Sequence, residues 1–122
     1  MLDNTISDSG TALCFDDNFE QGHIIKGNIL RDNQFGINVF ARMLVIEDNE
    51  IVNNSNTGIY IKDHSVEHQI LSNTISNNDV GIDVNGNPWP TLINNLFSTN
   101  NVGLKIWDGI ELSYNNNFVN TF

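Results

Sequence analysis

One phrase of sequence recurs along the chain and limits what it can fold into. Its cleanest copy is residues 73–84, NTISNNDVGIDV. An Asn is followed two places on by an apolar residue, three further on by a second Asn, and then by Gly-Ile-x-Val. Residues 49–61 (NEIVNNSNTGIYI) and 95–106 (NLFSTNNVGLKI) repeat it. Residues 27–39 (GNILRDNQFGINV) are a looser copy, and residues 4–15 (NTISDSGTALCF) open the series with Ala12 in place of the glycine. A partial copy occupies residues 116–122. Gly36, Gly58, Gly81 and Gly103 lie 22, 23 and 22 residues apart. So short and regular a period marks a solenoid, and it takes precedence over any local reading.

The spacing inside each copy is that of strands. Gly-Ile-x-Val puts two apolar residues two apart, on one side of an extended chain. The inward pairs are Leu13/Phe15, Ile37/Val39, Ile59/Ile61, Ile82/Val84 and Leu104/Ile106. A second short strand precedes each pair, centred on Ile6, Ile29, Ile51, Ile75, Phe97 or Phe118. A third apolar site lies three residues before the first Asn: Ile24, Ile46, Ile70, Leu92. Three strands per 22 or so residues leave no room for a helix, and no segment sustains a 3.6-residue period. Asn, Asp, Ser and Gly fill the connections. Asn and Gly tolerate the left-handed backbone region, which assigns both to the corners. Stacked corners let Asn amides bond from rung to rung, satisfying groups that would otherwise be buried unpaired. The second-Asn column reads Ser9, Asp32, Asn54, Asn78, Asn100, Thr121. Rungs roughly 4.8 Å apart follow from strand pairing.

Composition narrows the partners. The chain has 122 residues, 22 of them Asn, and carries 15 Asp and Glu against 5 Lys and Arg, a net charge of -10. Such a balance disfavours nucleic acid, since phosphate binding needs a basic footprint. It equally disfavours an anionic membrane surface, and no apolar run is long enough for membrane insertion. The single cysteine, Cys14, cannot form an internal disulfide and has no His beside it to activate the thiol. The opening MLDNTISDSG lacks the basic and apolar regions of a signal peptide. With the repeat already under way at Asn4, the chain reads as one domain, residues 1–122, taken from a longer solenoid and uncapped at both ends. An exposed solenoid end leaves a sheet edge and a slice of core uncovered, so missing flanking sequence or end-to-end self-association is expected.

The repeat, from residue 4 to residue 122, resembles the right-handed parallel β-helix repeats of the pectate-lyase-like superfamily, in particular the short Asn-rich repeats of the NosD-like and carbohydrate-associated CASH type. The fold expected is therefore all-β: a single-stranded right-handed parallel β-helix of about five rungs of 22–24 residues. The resemblance implies a secreted, cell-surface or periplasmic parent protein and a polysaccharide partner. Two segments break the rhythm. Residues 16–21 (DDNFEQ) read as a side loop, and residues 85–91 (NGNPWPT), which hold both prolines, as a turn. The mostly apolar residues 41–45 pack across a corner.

If Ile-x-Val turns its apolar residues inward, the middle residue faces out. That column is Cys14, Asn38, Tyr60, Asp83, Lys105, and two residues on comes Asp16, Phe40, Lys62, Asn85, Trp107. Phe40, Tyr60 and Trp107 suit stacking on sugar faces, while Asn38, Asp83 and Asn85 suit hydroxyls. With Lys62 and Lys105 they form the candidate carbohydrate-binding patch, a shallow groove across several rungs. The plainer reading is a solvated sheet face with some exposed aromatics. Lyases and epimerases of the resembled family need a base, a group that neutralises a uronate and often calcium; Asp83, Lys62 and Lys105 are the candidates for those roles. Against catalysis, Arg31 and Arg42 lie outside the patch and the Asp-Pro-His signature of mannuronan epimerases is absent. Asp16-Asp17 and Gly22-His23 are too close together to be polygalacturonase elements one rung apart. DHSVEH, residues 63–68, puts His64 and His68 beside Asp63 and Glu67, yet it falls in a corner and reads as a polar surface loop. No metal site is assigned and no cofactor is required; weak calcium binding is allowed by the acidity, but the glycine-aspartate nonapeptide of calcium-binding β-rolls is missing. The reading is a non-catalytic segment that recognises polysaccharide or serves as scaffold. The alternatives are a fragment of an acidic-polysaccharide lyase or epimerase, and an adhesin or scaffold with no small ligand.

Overall fold

The structure, a computed structural model, describes residues 1–16, 22–62, 67–86, 90–107, 112–114 (backbone) and 116–119. Among these the chain winds through sixteen short strands. The first turn holds β1 (Thr5–Ser7), β2 (Thr11–Phe15) and β3 (Ile24–Lys26). The second holds β4 (Ile29–Arg31), β5 (Phe35–Val39) and β6 (Val45–Glu47), and the third β7 (Glu50–Val52), β8 (Thr57–Ile61) and β9 (Gln69–Leu71). Next come β10 (Thr74–Ser76), β11 (Val80–Val84) and β12 (Thr91–Ile93), then β13 (Leu96–Ser98), β14 (Val102–Ile106) and β15 (Leu112–Tyr114), and finally β16 (Asn117–Val119).

Every strand pairs in parallel with its equivalents one turn before and after. Three sheets result: β1-β4-β7-β10-β13-β16, β2-β5-β8-β11-β14 and β3-β6-β9-β12-β15. Met1–Asp3 already follow this course, since Leu2 bridges Lys26 and the Asp3 N–H donates to the Lys26 carbonyl at 3.1 Å. The repeat thus begins before Asn4, three residues earlier than its sequence pattern indicates.

Each sheet turns one row of side chains inward. Ile37, Val39, Ile59, Ile61, Ile82 and Val84 are fully buried, as are Ile51, Ile75 and Phe97 from the second sheet and Ile46, Ile70 and Leu92 from the third. These are the expected core columns, with one systematic correction. Leu30, not Ile29, aligns with Ile51, and Ile25, not Ile24, aligns with Ile46. Leu30 and Ile25 are fully buried, whereas Ile29 and Ile24 are 36% and 53% exposed. The second-Asn column shifts likewise, from Asp32 to Asn33, whose N–H meets the Asn54 Oδ1 at 3.1 Å. All three slips have one cause: the looser copy starts at Asn28 and not at Gly27. At the last turn Ile106 (38% exposed) and Phe118 (46%) keep their columns without full cover, although Phe118 stacks on Phe97 at 4.5 Å. Phe15 and Leu104 pack against the core from partly buried positions.

Two corners are tight, and each carries an asparagine ladder. Asn4, Asn28, Asn49, Asn73, Asn95 and Asn116 form one. Asn33, Asn54, Asn78 and Asn100 form the other, with Ser9 at its start. Beyond the first turn, each Oδ1 accepts from the backbone N–H of the ladder residue one turn earlier, at 2.9–3.1 Å in every case. Among the described residues, the one before each ladder position lies at positive φ: Asp3, Gly27, Asp48, Ser72 and Asn94 in the first ladder, Asp8, Asp32, Asn53, Asn77 and Thr99 in the second. The expected corner chemistry holds for these residues.

It does not hold for the repeat glycines, which sit inside strands. A Cβ on Gly36, Gly58 or Gly81 would fall 2.4–2.6 Å from the carbonyl oxygen of the glycine one turn on. Close stacking, not left-handed backbone, selects glycine there. The third corner varies in length. Ala41 and Leu44 pack into it as expected, and Met43 protrudes at a φ of 58°. Of the expected side loop (16–21) and proline turn (85–91), residues 17–21 and 87–89 lie outside the described residues, as does the last column position, 121, while Thr91 belongs to β12 and not to the turn.

Candidate functional site

The strands β2, β5, β8, β11 and β14 carry the two outward columns. Their register is the one the sequence implies: Cys14 beside Asn38, Asn38 beside Tyr60, Tyr60 beside Asp83, Asp83 beside Lys105. The second column is set by ladder bonds that follow the strands. The N–H groups of Phe40, Lys62, Asn85 and Trp107 donate to the carbonyls of Phe15, Val39, Ile61 and Val84 at 2.7–3.0 Å. All eight candidate residues therefore lie on one face, two per turn.

The side chains are interlinked across the turns. The Asn85 Nδ2 donates to the Tyr60 hydroxyl at 3.2 Å. Tyr60 meets Phe40 edge to face, with ring centroids 6.3 Å apart. Lys62 Nζ sits 5.5 Å from the centre of the Phe40 ring and Lys105 Nζ 5.2 Å from that of Trp107, within the range of cation–π attraction. Lys105 also lies 3.7 Å from the Asp83 Oδ2. Both patch lysines are thus engaged with partners inside the patch. Trp107 stays 63% exposed.

Two acceptors in this network have no donor. Asn38 Oδ1 and the second Asp83 oxygen, Oδ1, are both buried atoms without a hydrogen-bond partner. They occupy alternate turns on either side of Tyr60. A buried acceptor left unpaired costs about 1–3 kcal/mol, and both atoms are closed to solvent, so an outside donor reaches either one only after its side chain turns outward.

His68 departs from expectation. It is 1% exposed, not on a surface loop. Its Nδ1 accepts the Leu44 N–H at 3.3 Å, which places the ring proton of the neutral form on Nε2, where no partner is found. Burial lowers its pKa from 6.5 to about 4. Asp63 and His64 lie outside the described residues. A feature that the repeat pattern did not disclose is a recess of about 430 Å³ over the second ladder, lined by Asn53, Ser55, Asn77, Asp79, Thr99 and Asn101 among others. Its only trace in the sequence is that the copy at residues 49–61 is one residue longer than its neighbours.

A family model described as "Right handed beta helix region" matches residues 1–121. No curated protein and no solved structure gives a significant match.

Proposed function

The chain belongs to the right-handed β-helix family, and from that premise we propose that it is a non-catalytic segment that recognises polysaccharide through the outward face of the β2-β5-β8-β11-β14 sheet. Asn38, Phe40, Tyr60, Lys62, Asp83, Asn85, Lys105 and Trp107 make the contact surface. The observation that carries this reading is the aromatic face itself: the exposed Trp107 and the Tyr60 ring, hydrogen-bonded to Asn85, in register with Asn38 and Asp83. Sugars supply C–H faces for Tyr60 and Trp107 and hydroxyls for the polar groups beside them. The likeness to pectate-lyase-like and CASH-type repeats, and an extracytoplasmic setting, belong to this same reading.

The ligand chemistry favoured is neutral or amino-bearing. Lys62 and Lys105, the groups that would neutralise a uronate, are held by Phe40, Trp107 and Asp83, and the net charge of -10 repels polyanions. That argues against the lyase or epimerase alternative acting through Asp83, Lys62 and Lys105. A glycan array probed with the native chain and with a Tyr60→Ala, Trp107→Ala double variant tests the proposal. Signal on neutral or amino glycans that the double variant loses supports it. Absence of signal with the native chain leaves a scaffold. Growth of unsaturated-product absorbance with alginate or pectin would establish the lyase reading instead.

A further inference from the structure

The corner that leads into β2, β5, β11 and β14 has three residues in each case: 8–10, 32–34, 77–79 and 99–101. The corner that leads into β8 has four, 53–56. This one inserted residue opens the recess over the second ladder. Backbone pairing to the preceding turn is intact, with Ser55 N–H on the Asn33 carbonyl at 2.8 Å and Asn56 N–H on the Gln34 carbonyl at 2.9 Å. Pairing to the following turn skips a place. The Val80 N–H reaches the Asn56 carbonyl at 2.9 Å, but no backbone bond joins the Asp79 N–H to the turn before it among the described residues. One turn later, where both corners have three residues, the equivalent bond is present, from the Asn101 N–H to the Asn78 carbonyl at 3.3 Å.

The recess so formed is an open hollow lined mainly by polar groups. Asn53 and Ser55 form one lip, and Asn77 and Asp79 the next turn. Thr99 and Asn101 form its far edge, with the Thr99 hydroxyl donating to Asn77 Oδ1 and Asn101 Nδ2 donating to Asp79 Oδ1 at 2.7 Å. Its volume of about 430 Å³ is many times the ~30 Å³ share of one water and falls within the roughly 300–1,000 Å³ range of small-ligand sites. No aromatic or cationic side chain lines it. Its walls offer amide and hydroxyl groups that both donate and accept, one carboxylate and the Asp79 N–H. An anion would meet Asp79 with no positive charge to offset it, and a bare metal ion would leave most of the space unfilled. A neutral sugar unit, with hydroxyls that donate and accept in several directions, matches both the size and the hydrogen-bonding capacity.

We propose that this corner recess is a binding site for a neutral sugar unit, created by the extra residue of the corner at 53–56 and separate from the sheet face that carries Tyr60 and Trp107. It does not depend on the reading of that face. The test is an amide NMR titration of the labelled chain with four probes. Two are neutral sets, gluco- and manno-configured trisaccharides and N-acetylchitotriose; the others are trigalacturonate and calcium chloride. At least one neutral probe is expected to shift the Ser55, Asp79 and Asn101 amides together. Deletion of Ser55, which restores the three-residue corner, should weaken that response at least tenfold. Asn101→Arg, which fills the recess from its exposed side and leaves the ladder in place, should do the same if the deletion disturbs the fold. Tyr60→Ala, Trp107→Ala should leave the response unchanged. The proposal fails if no neutral probe moves these amides, if calcium or trigalacturonate alone moves them, or if the response survives both recess variants.

Discussion

Asn78 illustrates what a ladder residue contributes. Its Oδ1 accepts from the Asn54 N–H at 3.0 Å and from Asn54 Nδ2 at 2.9 Å, while its own Nδ2 reaches the Ile51 carbonyl at 3.0 Å and Asn100 Oδ1 at 3.1 Å. All four bonds are buried beneath the surface of the corner. Asn78→Ala leaves the Asn54 N–H and the Ile51 carbonyl short of partners at about 1–3 kcal/mol each. A loss of about 3 kcal/mol in urea unfolding is expected, against less than about 1 kcal/mol for the exposed Asn4→Ala. Asn4 is the exposed first member of the other ladder, and a loss at Asn78 as small as that at Asn4 would show that burial adds nothing to a ladder residue. His68 gives a second residue-scale prediction, with pH as the variable. Its pKa, about 4 in the fold and near 6.5 in an unfolded chain, means that the unfolded state binds the proton first. Stability contributed by neutral His68 is full above pH 6.5 and falls as the pH drops toward 4, by about 3 kcal/mol in total. The difference in unfolding free energy between the native chain and His68→Leu, followed from pH 7 to pH 4, should shrink by that amount; a constant difference would mean that the ring is not held neutral.

At the scale of the strand, the repeat glycine is a spacing device. A Cβ on Gly58 would lie 2.6 Å from the Gly81 carbonyl oxygen, 3.2 Å from Asn78 Nδ2 and 3.3 Å from a methyl of Ile51. Backbone, ladder and core all press on the same point, so none can yield cheaply. Gly58→Ala is expected to cost about 2 kcal/mol or more. Gly10, by contrast, has nothing within 4 Å of where a Cβ would stand and no positive φ, so Gly10→Ala should be neutral or stabilising by up to about 1 kcal/mol. Chemical denaturation of the two variants side by side checks both; equal effects would refute the stacking account. The same strands show what a sequence discloses. The inward and outward columns were legible because period-two alternation depends only on residue class and spacing. The slip at Gly27 and Asn28 was not, because either residue is at home at a left-handed corner, and only pairing with Asn49 distinguishes them. The burial of His68 depends on Leu44 one turn earlier, a relation across a corner of variable length. The recess over the second ladder was present as one surplus residue, but its effect appears only when turns of unequal length are stacked.

For the whole molecule, contacts run almost entirely between adjacent turns, since each sheet grows by one strand per turn. Such an assembly is close to one-dimensional: an interior turn is held by two neighbours and a terminal one by a single neighbour. Exposure follows that rule. Ile59, Ile61, Ile82 and Val84 are fully buried, while Leu2 near one end is 60% exposed and Ile106, Phe118 and Val119 near the other are 38%, 46% and 58% exposed. The ladders add to the gradient, because Asn54 and Asn78 bond both ways along the stack. Local opening should therefore cost least at the two ends and rise toward the third and fourth turns. Native-state hydrogen exchange reads this residue by residue. Amides of β8 and β11 should exchange at least a hundredfold more slowly than those of β1 and β16, with β5 and β14 between. A flat profile would mean that the chain opens only as one cooperative unit and that end turns are anchored as firmly as interior ones. The gradient also bears on binding: Tyr60 and Asp83 stand on β8 and β11, the best-supported strands, so the centre of the sheet face is held in place before any ligand arrives.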